Sequence, residues 1–289
     1  MSPSNANVED AIKSFLAEDI GYGDITTDAI IDPRLRAEAV VTCKEEAVIA
    51  GLDEALILLR LSECKGTVLV QVGEKVRAGT RILLATGPAR QLLRIERTLL
   101  NIISHMSGIA TATAELVRIA RGSKSRVRIA ATRKTLPGLR YFEKRAVELG
   151  GGDTHRLGLD DAVLIKDNHL AITRSLADSV RKARSQASFT RKIEVEITKP
   201  AQAVLAVRAG ADIVLLDNMS PDEIRETVSL LAKRNLRGKV MLEASGGIRK
   251  ENLSSYARTG VDVISVGAIT HSSKSIDTSM EISPARRKR

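Results

Sequence analysis

The stretch KIEVEITKPAQAVLAVRAGADIVLLDN, residues 192–218, contains two short apolar runs separated by a segment with the apolar spacing of a helix. Short apolar runs that alternate with amphipathic helices are typical of βα units in a parallel sheet. From residue 126 onward six such runs occur in the same rhythm: VRIAA, AVLI, KIEVEI, DIVLLD, KVMLEA and DVISVG. The pattern predicts an α/β fold, either a barrel or an open doubly wound sheet.

The positions of the polar residues favour the barrel. In a TIM-like (β/α) barrel the carboxyl ends of all strands meet at one face, where the active site lies. Charged or small residues end or follow the apolar runs: Arg133 and Lys134, Lys166, Glu196, Asp217, Glu243 and Ser245, and Gly267. We therefore expect a ring of mixed charge at one face of a barrel.

Residues 132–169 carry the densest group of cations. Arg133 and Lys134 follow VRIAA directly, and Lys166 follows AVLI. Between them three glycines, residues 150–152, precede His155 and Arg156, and glycine allows backbone angles that other residues avoid. The stretch predicts an anion-binding wall, although a single histidine in a loop is more often structural.

Two small-residue loops follow the last two strands. Small residues let backbone N–H groups approach an anion, the N-terminus of the following helix adds its partial positive charge, and barrels commonly bind phosphate at this point. The residues are Ser245, Gly246 and Gly247 in EASGGI, and Gly267 and Ala268 in SVGAITH. The alternative is that both loops are ordinary tight turns.

Glu196 and Asp217 lie 21 positions apart on strands expected to be neighbours. Two carboxylates that face one cavity opposite a phosphate site suit Mg²⁺ or the hydroxyl groups of a ribose. Because cations surround the two carboxylates, we expect both to stay ionised. The alternative is a structural ring of salt bridges. No serine or cysteine has an evident base beside it, so covalent catalysis is not indicated.

The first hundred residues predict a separate α+β unit. VEDAIKSFLAED has helical spacing, residues 37–50 and 67–72 resemble strands with a helix near 52–61 between them, and RILLATG resembles another strand. From about residue 88 to 121 the pattern is helical, and Gly108 indicates a break or close packing. Arg97 lies in this helical segment, where a surface ion pair with an acid such as Glu96 is the simplest role.

Composition excludes several classes of protein. In 289 residues there are 43% hydrophobic but only 2% aromatic residues, which argues against aromatic platforms for base stacking. The formal charge of +10 allows nucleic-acid binding, but no DNA- or RNA-binding motif accompanies it, and the terminal ARRKR is most simply a solvated tail. Two cysteines, no secretion signal and no run of 18 apolar residues point to the cytoplasm rather than to a membrane or secretion.

Taken in order, the motifs resemble those of the quinolinate phosphoribosyltransferase family, also called nicotinate-nucleotide pyrophosphorylase (carboxylating). They run from about residue 18 to 272: ERTLLN with SGIAT, TRKTLPGLR, GGGDTHRLGL, LIKDNH, EVEI, LLDN, EASGGI and THS. The resemblance implies an N-terminal α+β sandwich domain, residues 1–110 joined by 273–289, and an open α/β barrel, residues 111–272. It also implies a homodimer, and it leaves further assembly into a hexamer open.

The same resemblance implies roles for individual residues. The quinolinate site would comprise Arg133, His155, Arg156 and Lys166, with Arg97 entering from the partner subunit, which replaces the ion-pair role for Arg97. Sites for phosphoribosyl pyrophosphate would be Lys134, Glu196, Asp217, Ser245, Gly246, Gly247, Gly267 and Ala268. Glu196, Asp217 and Asp167 are the Mg²⁺ candidates, and Lys134, Lys166, Glu196 and Asp217 the catalytic ones.

The implied reaction joins quinolinate to the phosphoribosyl group and releases pyrophosphate and CO₂, giving nicotinate mononucleotide for de novo NAD synthesis. Three alternatives remain. Nicotinate phosphoribosyltransferase shares the fold but uses a monocarboxylate, and the dense set of cations in this sequence suits a dicarboxylate better. A molybdenum-transport-associated paralogue shares several motifs, but Lys166 in LIKDNH favours the quinolinate enzyme. A basic nucleic-acid-binding protein would show a steep dependence of affinity on salt.

Overall fold

The computed structural model describes residues 5–123 and 125–285. Four arginines and lysines of the predicted basic tail, residues 286–289, lie outside these ranges. The described chain divides into two compact units, of which the first comprises Met1–Ala112, Leu136–Gly151 and Ser273–Arg289, and the second Thr113–Thr135 and Gly152–Ser272.

Twelve strands are present in the described part of the chain. They are β1 Arg36–Cys43, β2 Ala47–Val48, β3 Lys65–Val68, β4 Lys75–Val76, β5 Arg81–Pro88, β6 Arg128–Ala130, β7 Val163–Ile165, β8 Ile193–Ile197, β9 Ile213–Asp217, β10 Met241–Ser245, β11 Val263–Ser265 and β12 Thr278–Pro284.

Eleven α-helices occur in the same described ranges, together with a 3₁₀ turn at Arg237–Lys239. They are α1 Asn5–Ile20, α2 Ile25–Ile30, α3 Leu52–Leu61, α4 Ala89–Gly122, α5 Arg140–Leu149, α6 Asp167–Thr173, α7 Leu176–Gln186, α8 Pro200–Ala209, α9 Pro221–Lys233, α10 Leu253–Ala257 and α11 Ala268–His271.

The first unit is built on an antiparallel sheet with the strand order β12-β1-β5-β3. In β1 every second residue is buried, and these residues are Ala37, Ala39, Val41 and Cys43, the period of a strand with one face on a core. The residues at 37–50, predicted as one strand, form β1 and β2 instead. The C-terminal strand β12 pairs with β1 along its length, so the last described residues belong to this unit.

Helix α4 is continuous over 34 residues and does not break at Gly108. Close packing explains this glycine, because a Cβ placed there would lie 2.1 Å from the carbonyl oxygen of Lys274. The C-terminal segment is held to the same helix, since the amide of Ile276 donates to the carbonyl of Ser104 at 3.1 Å. Of the two possibilities read from the sequence, close packing is correct and the helix break is wrong.

The second unit contains six parallel strands in the order β6-β11-β10-β9-β8-β7. The first and second strands along the chain, β6 and β7, are the two edges of the sheet, so the barrel is open between them. This confirms the predicted open α/β barrel. The segment before His155 extends the β6 edge, because the backbone of Asp153 exchanges hydrogen bonds with Ile129 and Ala131 at 2.7 and 2.9 Å.

Two similar hydrogen-bonded clamps tie the amino ends of the strands. In the first, Asp212 accepts the amide of Ile193 at 2.8 Å, and Arg184 donates both to Asp212 and to the carbonyl of Gly210. The second clamp has the same pattern: Asp262 accepts the amide of Leu242, and Arg237 donates both to Asp262 and to the carbonyl of Gly260. Each clamp links a strand start to the next βα unit, at the end of the barrel that usually supplies stability rather than chemistry.

The division of the structure differs from the predicted domain bounds in one segment. Residues 136–151, which include α5, belong to the first unit, whereas the sequence prediction placed them in the barrel domain. No helix in the described ranges is long and apolar enough to span a membrane.

Candidate active site

A cavity of about 470 Å³ lies at the carboxyl ends of the barrel strands. Twelve of the fourteen predicted site residues line it: Arg133, Lys134, His155, Arg156, Lys166, Glu196, Asp217, Ser245, Gly246, Gly247, Gly267 and Ala268. Arg97 and Asp167 do not. The cavity therefore brings together the predicted cation wall, the carboxylate pair and both small-residue loops.

Lys134 and Lys166 each follow an edge strand, and local contacts fix both. The carbonyl of Lys134 accepts the hydroxyl proton of Thr270 at 2.7 Å, and its amide donates to Oγ1 of Thr132 at 3.1 Å. The Nζ atom of Lys166 lies 3.4 Å from Oε2 of Glu196. The backbone of Lys134 is thus held in place, whereas it is the ammonium group of Lys166 that lies beside Glu196.

The two arginines of the cation wall, Arg133 and Arg156, are at least partly buried. Arg156 is 8% exposed and donates to the carbonyl of Ala162 at 3.1 Å. Burial and the nearby charge of Arg133 lower the pKa of the Arg156 guanidinium. The buried Nε of Arg133 has no hydrogen-bond partner among the described residues. Such a pair of like charges favours the binding of an anion between them.

Glu196 and Asp217 come from neighbouring parallel strands, as predicted. Residues 194–197 of β8 pair with residues 213–216 of β9, which brings both carboxylates to the same cavity. Burial raises the pKa of the Glu196 carboxyl, with Lys166 opposing and Asp217 reinforcing the shift. Carboxylate oxygens are the ligands that Mg²⁺ prefers, so the chemistry of this pair fits the predicted metal.

The glycine loops allow a close backbone approach. Gly246 has φ +92°, and a Cβ there would lie 2.3 Å from the side-chain oxygen of Asn218. Gly247, at φ +60°, has no atom within 4 Å of its Cβ position and faces open space. The predicted help from helix N-termini is small, because α10 begins only at Leu253 and α11 has four residues.

His155 stands over two buried glutamates: Glu194, which the sequence prediction did not name, and Glu243, which it placed in the ring of strand-end residues without a role. Its Nε2 lies 3.2 Å from Oε2 of Glu243 and 3.6 Å from Oε2 of Glu194. Burial lowers the pKa of His155, but the hydrogen bonds and charges of the two glutamates outweigh it and raise the pKa to about 10. Burial and the charge of Glu243 raise the pKa of the Glu194 carboxyl, while His155 lowers it.

The Nδ1 atom of the same ring accepts the backbone N–H of Arg156 at 2.7 Å. A contact of this length has room for one hydrogen, so in this geometry the ring proton lies on Nε2, facing the glutamates. The two glutamates favour a doubly protonated ring, but a second proton on Nδ1 would displace the N–H of Arg156 from that atom. Because Nδ1 already accepts the N–H of Arg156, the ring carries its one proton on Nε2.

Glu194, which contacts the lining residue His155, was missed although one simple signal was available. Glu194 lies two positions before Glu196 on β8, and alternate residues of a strand face the same side. The cavity lining also contains nine residues outside the fourteen predicted site residues: Thr132, Leu164, Leu215, Glu243, Ile248, Arg249, Ser265, Val266 and His271. No periodicity marks Arg249, which lies in a loop, or His271, which ends the four-residue helix α11.

Arg97 and Asp167 are both exposed. Arg97 lies on α4 in the first unit and makes no ion pair with any described residue, so the structure does not support the simple pairing with Glu96. Asp167 begins α6 and accepts the amide of Asn168 at 2.7 Å. Neither residue is among those that line the barrel cavity.

The first unit has its own cavity of about 510 Å³, with a different character. Its lining includes Glu18 and Asp19 and lacks arginine and lysine. His105 in its wall lies 3.2 Å from the buried carboxylate of Glu143. An acidic, partly apolar cavity does not suit anionic substrates, so the candidate active site is the barrel cavity.

The fold and this cavity together define an α/β-barrel enzyme whose site is suited to strongly anionic substrates. The sequence matches the family models "Quinolinate phosphoribosyl transferase, N-terminal domain" over residues 24–107 and "Quinolinate phosphoribosyl transferase, C-terminal domain" over residues 109–281. The chain belongs to the quinolinate phosphoribosyltransferase family. The family resemblance seen in the sequence is confirmed, and with it the prediction of a phosphoribosyltransferase enzyme.

Curated relatives and solved structures agree with this family. A probable nicotinate-nucleotide pyrophosphorylase (carboxylating) from Methanothermobacter thermautotrophicus is 49% identical over 273 residues, 94% of this chain and 98% of that protein. The nicotinate-nucleotide pyrophosphorylase (carboxylating) of Mycobacterium leprae is 42% identical over 282 residues, 94% of this chain and 96% of its own. The crystal structure of NadC from Streptococcus pyogenes matches with a TM-score of 0.92 and 36% identity, covering 99% of this chain and 100% of that one.

Proposed function

We propose that this protein transfers the phosphoribosyl group of phosphoribosyl pyrophosphate to the ring nitrogen of quinolinate. Loss of CO₂ from the 2-carboxylate then gives nicotinate mononucleotide, with pyrophosphate as the second product. The observation that carries the proposal is the content of the barrel cavity, where five arginine and lysine side chains face three carboxylates and two small-residue loops. Quinolinate is a dianion and phosphoribosyl pyrophosphate a polyanion, so one pocket needs several cations to hold both.

Quinolinate would bind at the end formed by Arg133, His155, Arg156 and Lys166. The planar guanidinium groups of the arginines can each hold a carboxylate through two parallel hydrogen bonds and stay charged at any working pH. The exposed Arg97 would complete this end from the partner subunit of a homodimer. Its lack of an ion pair in the described part of its own chain supports that role.

Phosphoribosyl pyrophosphate would occupy the other end. The 5-phosphate would lie against the backbone of Ser245, Gly246 and Gly247 and of Gly267 and Ala268, where small residues leave room for it. Lys134 would meet the pyrophosphate. Glu196 and Asp217 would receive the ribose hydroxyls.

Transfer requires no nucleophile from the protein. The pyridine nitrogen attacks C1 of the ribose as pyrophosphate leaves, through a transition state with positive charge on the sugar. Glu196 and Asp217 would stabilise that charge, and Lys134 and Lys166 would stabilise the negative charge on the phosphates and carboxylates. The ring nitrogen is then cationic, so it stabilises the electron pair left on C2 when the adjacent carboxylate departs as CO₂, and a proton from solvent then adds to C2.

Glu196 and Asp217, with Asp167 as a further candidate, would hold Mg²⁺. When bound, the ion would offset negative charge on the pyrophosphate. We also place the protein in the cytoplasm, in keeping with the free, buried thiols of Cys43 and Cys64, and expect a dimer with or without assembly into a hexamer.

The deciding experiment is a coupled assay with quinolinate, phosphoribosyl pyrophosphate and Mg²⁺ that follows nicotinate mononucleotide and CO₂ together. Nicotinate serves as the parallel substrate. We expect equal amounts of nucleotide and CO₂ from quinolinate and little product from nicotinate. Folded protein that makes no nucleotide from quinolinate would refute the proposal.

Nicotinate as the true substrate is the second candidate. The structure of human nicotinic acid phosphoribosyltransferase matches with a TM-score of 0.58 at 16% identity, which is a likeness of fold alone. The arginine pair Arg133 and Arg156 suits two carboxylates better than one. The assay separates the two substrates directly.

A further inference from the structure

Two buried carboxylates lie beside a cavity suited to anions: Glu243 is part of its lining, and Glu194 contacts the lining residue His155. Their burial calls for a physical reason. Glu194 is 1% and Glu243 2% exposed. The Oε1 atom of each has no hydrogen-bond partner among the described residues. Burying a charged group without full hydrogen bonding destabilises the folded protein, and negative charge here also opposes the binding of an anion.

Their Oε2 atoms explain the arrangement, because both face Nε2 of His155 at 3.2 and 3.6 Å. The opposite side of the ring holds the backbone of the next residue, since Nδ1 accepts the N–H of Arg156. His155 itself has φ 54°, an unfavourable value for a residue with a side chain. Its amide is held by Asp153 at 2.8 Å. The two glutamates are thus one end of a chain of contacts that leads to Arg156.

We propose that Glu194 and Glu243 are positioning residues for the dicarboxylate substrate: through the His155 ring they fix the place of His155 and of Arg156 in the cation wall. This inference rests on the proposed function, because it assigns the glutamates to the quinolinate end of that site. Neither glutamate needs to touch the substrate. Their effect reaches it through the imidazole and the backbone N–H beyond it.

The same three side chains also have the spacing of metal ligands, but the ring tautomer argues against a metal. A neutral histidine that binds a metal through Nε2 carries its proton on Nδ1, usually donated to an acceptor. Here Nδ1 faces the N–H of Arg156, which is a donor. The cluster therefore fits a proton on Nε2 between His155 and the glutamates.

The sign of a binding change separates positioning from simple charge. If Glu243 acted only through its charge, Glu243→Gln would remove a negative charge from an anion site and tighten binding of a dianion. If Glu243 positions His155 and Arg156, the same change weakens binding. A charged hydrogen bond is lost, so we expect the Kd to rise about tenfold or more.

The test uses the full-length protein and phthalate, a benzene dicarboxylate that has no ring nitrogen and so binds without reacting. Calorimetry gives the Kd for wild type, Glu194→Gln, Glu243→Gln and the control Glu226→Gln, which removes an equal charge from the exposed face of α9. We expect weaker binding in the first two variants and an unchanged Kd in the control. In steady-state assays KM for quinolinate should rise while KM for phosphoribosyl pyrophosphate stays unchanged.

A double-mutant cycle shows whether the effect passes through His155. In a His155→Gln background, Glu243→Gln should add little further loss, whereas an equal loss in both backgrounds would overturn the inference. Glutamine matches glutamate in shape, and thermal melting checks that each variant is folded. If Glu243→Gln does not fold, the same cycle is measured with Glu194→Gln, for which the same outcomes apply.

Two further results would also overturn it. Phthalate binding that is unchanged or tighter in folded glutamine variants would leave the proposed function standing and remove the positioning role. Zinc retained stoichiometrically by wild type after dialysis, and lost in Glu243→Gln, would make the cluster a metal centre. A wild type that makes no nucleotide and binds no phthalate would instead refute the proposed function, and this inference with it.

Discussion

Replacing Gly108 by alanine should destabilise the protein, although alanine is the better helix former. An added Cβ at residue 108 would lie 2.1 Å from the carbonyl oxygen of Lys274 and 3.1 Å from Cα of Ser275. Carbon and oxygen atoms normally approach no closer than about 3.3 Å. The backbone of the C-terminal segment must therefore move by about 1 Å, and backbone cannot turn aside as a flexible side chain can.

The magnitude follows from two opposing effects. In the interior of a helix, alanine is more favourable than glycine by about 1 kcal/mol. Forcing an extra methyl group into a packed contact costs about 1–3 kcal/mol, and contact with backbone puts this case at the upper end. The expected net loss is about 2 kcal/mol, or ~3–4 °C in melting temperature for a chain of this size.

Chemical denaturation and hydrogen exchange test this expectation. Faster exchange should appear at the amides of β12, because the displaced segment leads directly into that strand and its pairing with β1. Gly122→Ala is the matched control at the end of the same helix, where an added Cβ meets nothing within 4 Å. It should be neutral or stabilise by up to ~1 kcal/mol. If Gly108→Ala is as stable as wild type, the packing argument is wrong.

Three further predictions concern the site and the barrel base. Arg133→Lys keeps the charge but loses the two-pronged carboxylate contact, so KM for quinolinate should rise about tenfold or more, and unchanged kinetics would remove Arg133 from the substrate site. Arg97→Ala and Lys166→Ala, each inactive alone, should recover part of the activity when mixed, since a mixed dimer contains one intact site; no recovery despite proven subunit exchange would place Arg97 in its own chain's site. Arg237→Met should lower the free energy of unfolding by about 1–3 kcal/mol, because Arg237 bonds Asp262 and two carbonyls. The exposed pair of Arg225 with Asp222 gives the control Arg225→Met, which should change stability by less than ~0.5 kcal/mol, and equal losses in both variants would contradict the clamp.

Sequence reasoning located the barrel strands and most of the cavity because both depend on local order. A polar residue that directly follows an apolar run must emerge at the end of that strand, wherever the strand lies in the sheet. Lys166 after AVLI and Asp217 at the end of DIVLLD are of this kind, and both line the cavity. The roles of these residues stay predictions until the variants are measured.

Features that depend on distant contacts were harder to predict. The contact of His155 with Glu243 joins residues 88 positions apart, and no local pattern encodes it. Strand β12 has seven residues, of which only Met280 is buried, so its apolar pattern is too weak to reveal a strand. Its position is decided by pairing with β1. The predicted contribution of helix N-termini at the glycine loops was wrong for a similar reason. The sequence after Gly247 and Gly267 does not show where the next helix begins or how long it is.

The two clamps at the amino ends of the barrel strands use the same solution twice. Asp212 and Asp262 lie 50 positions apart and bond the same kinds of group in the same pattern. Gly210 and Gly260, which supply the matching carbonyls, share left-handed backbone φ angles of +101° and +94°. The pairs β8–β9 and β10–β11 thus start from the same hydrogen-bonded frame. Because the binding side chains lie at the opposite ends of the strands, they can differ between the two pairs without disturbing this frame.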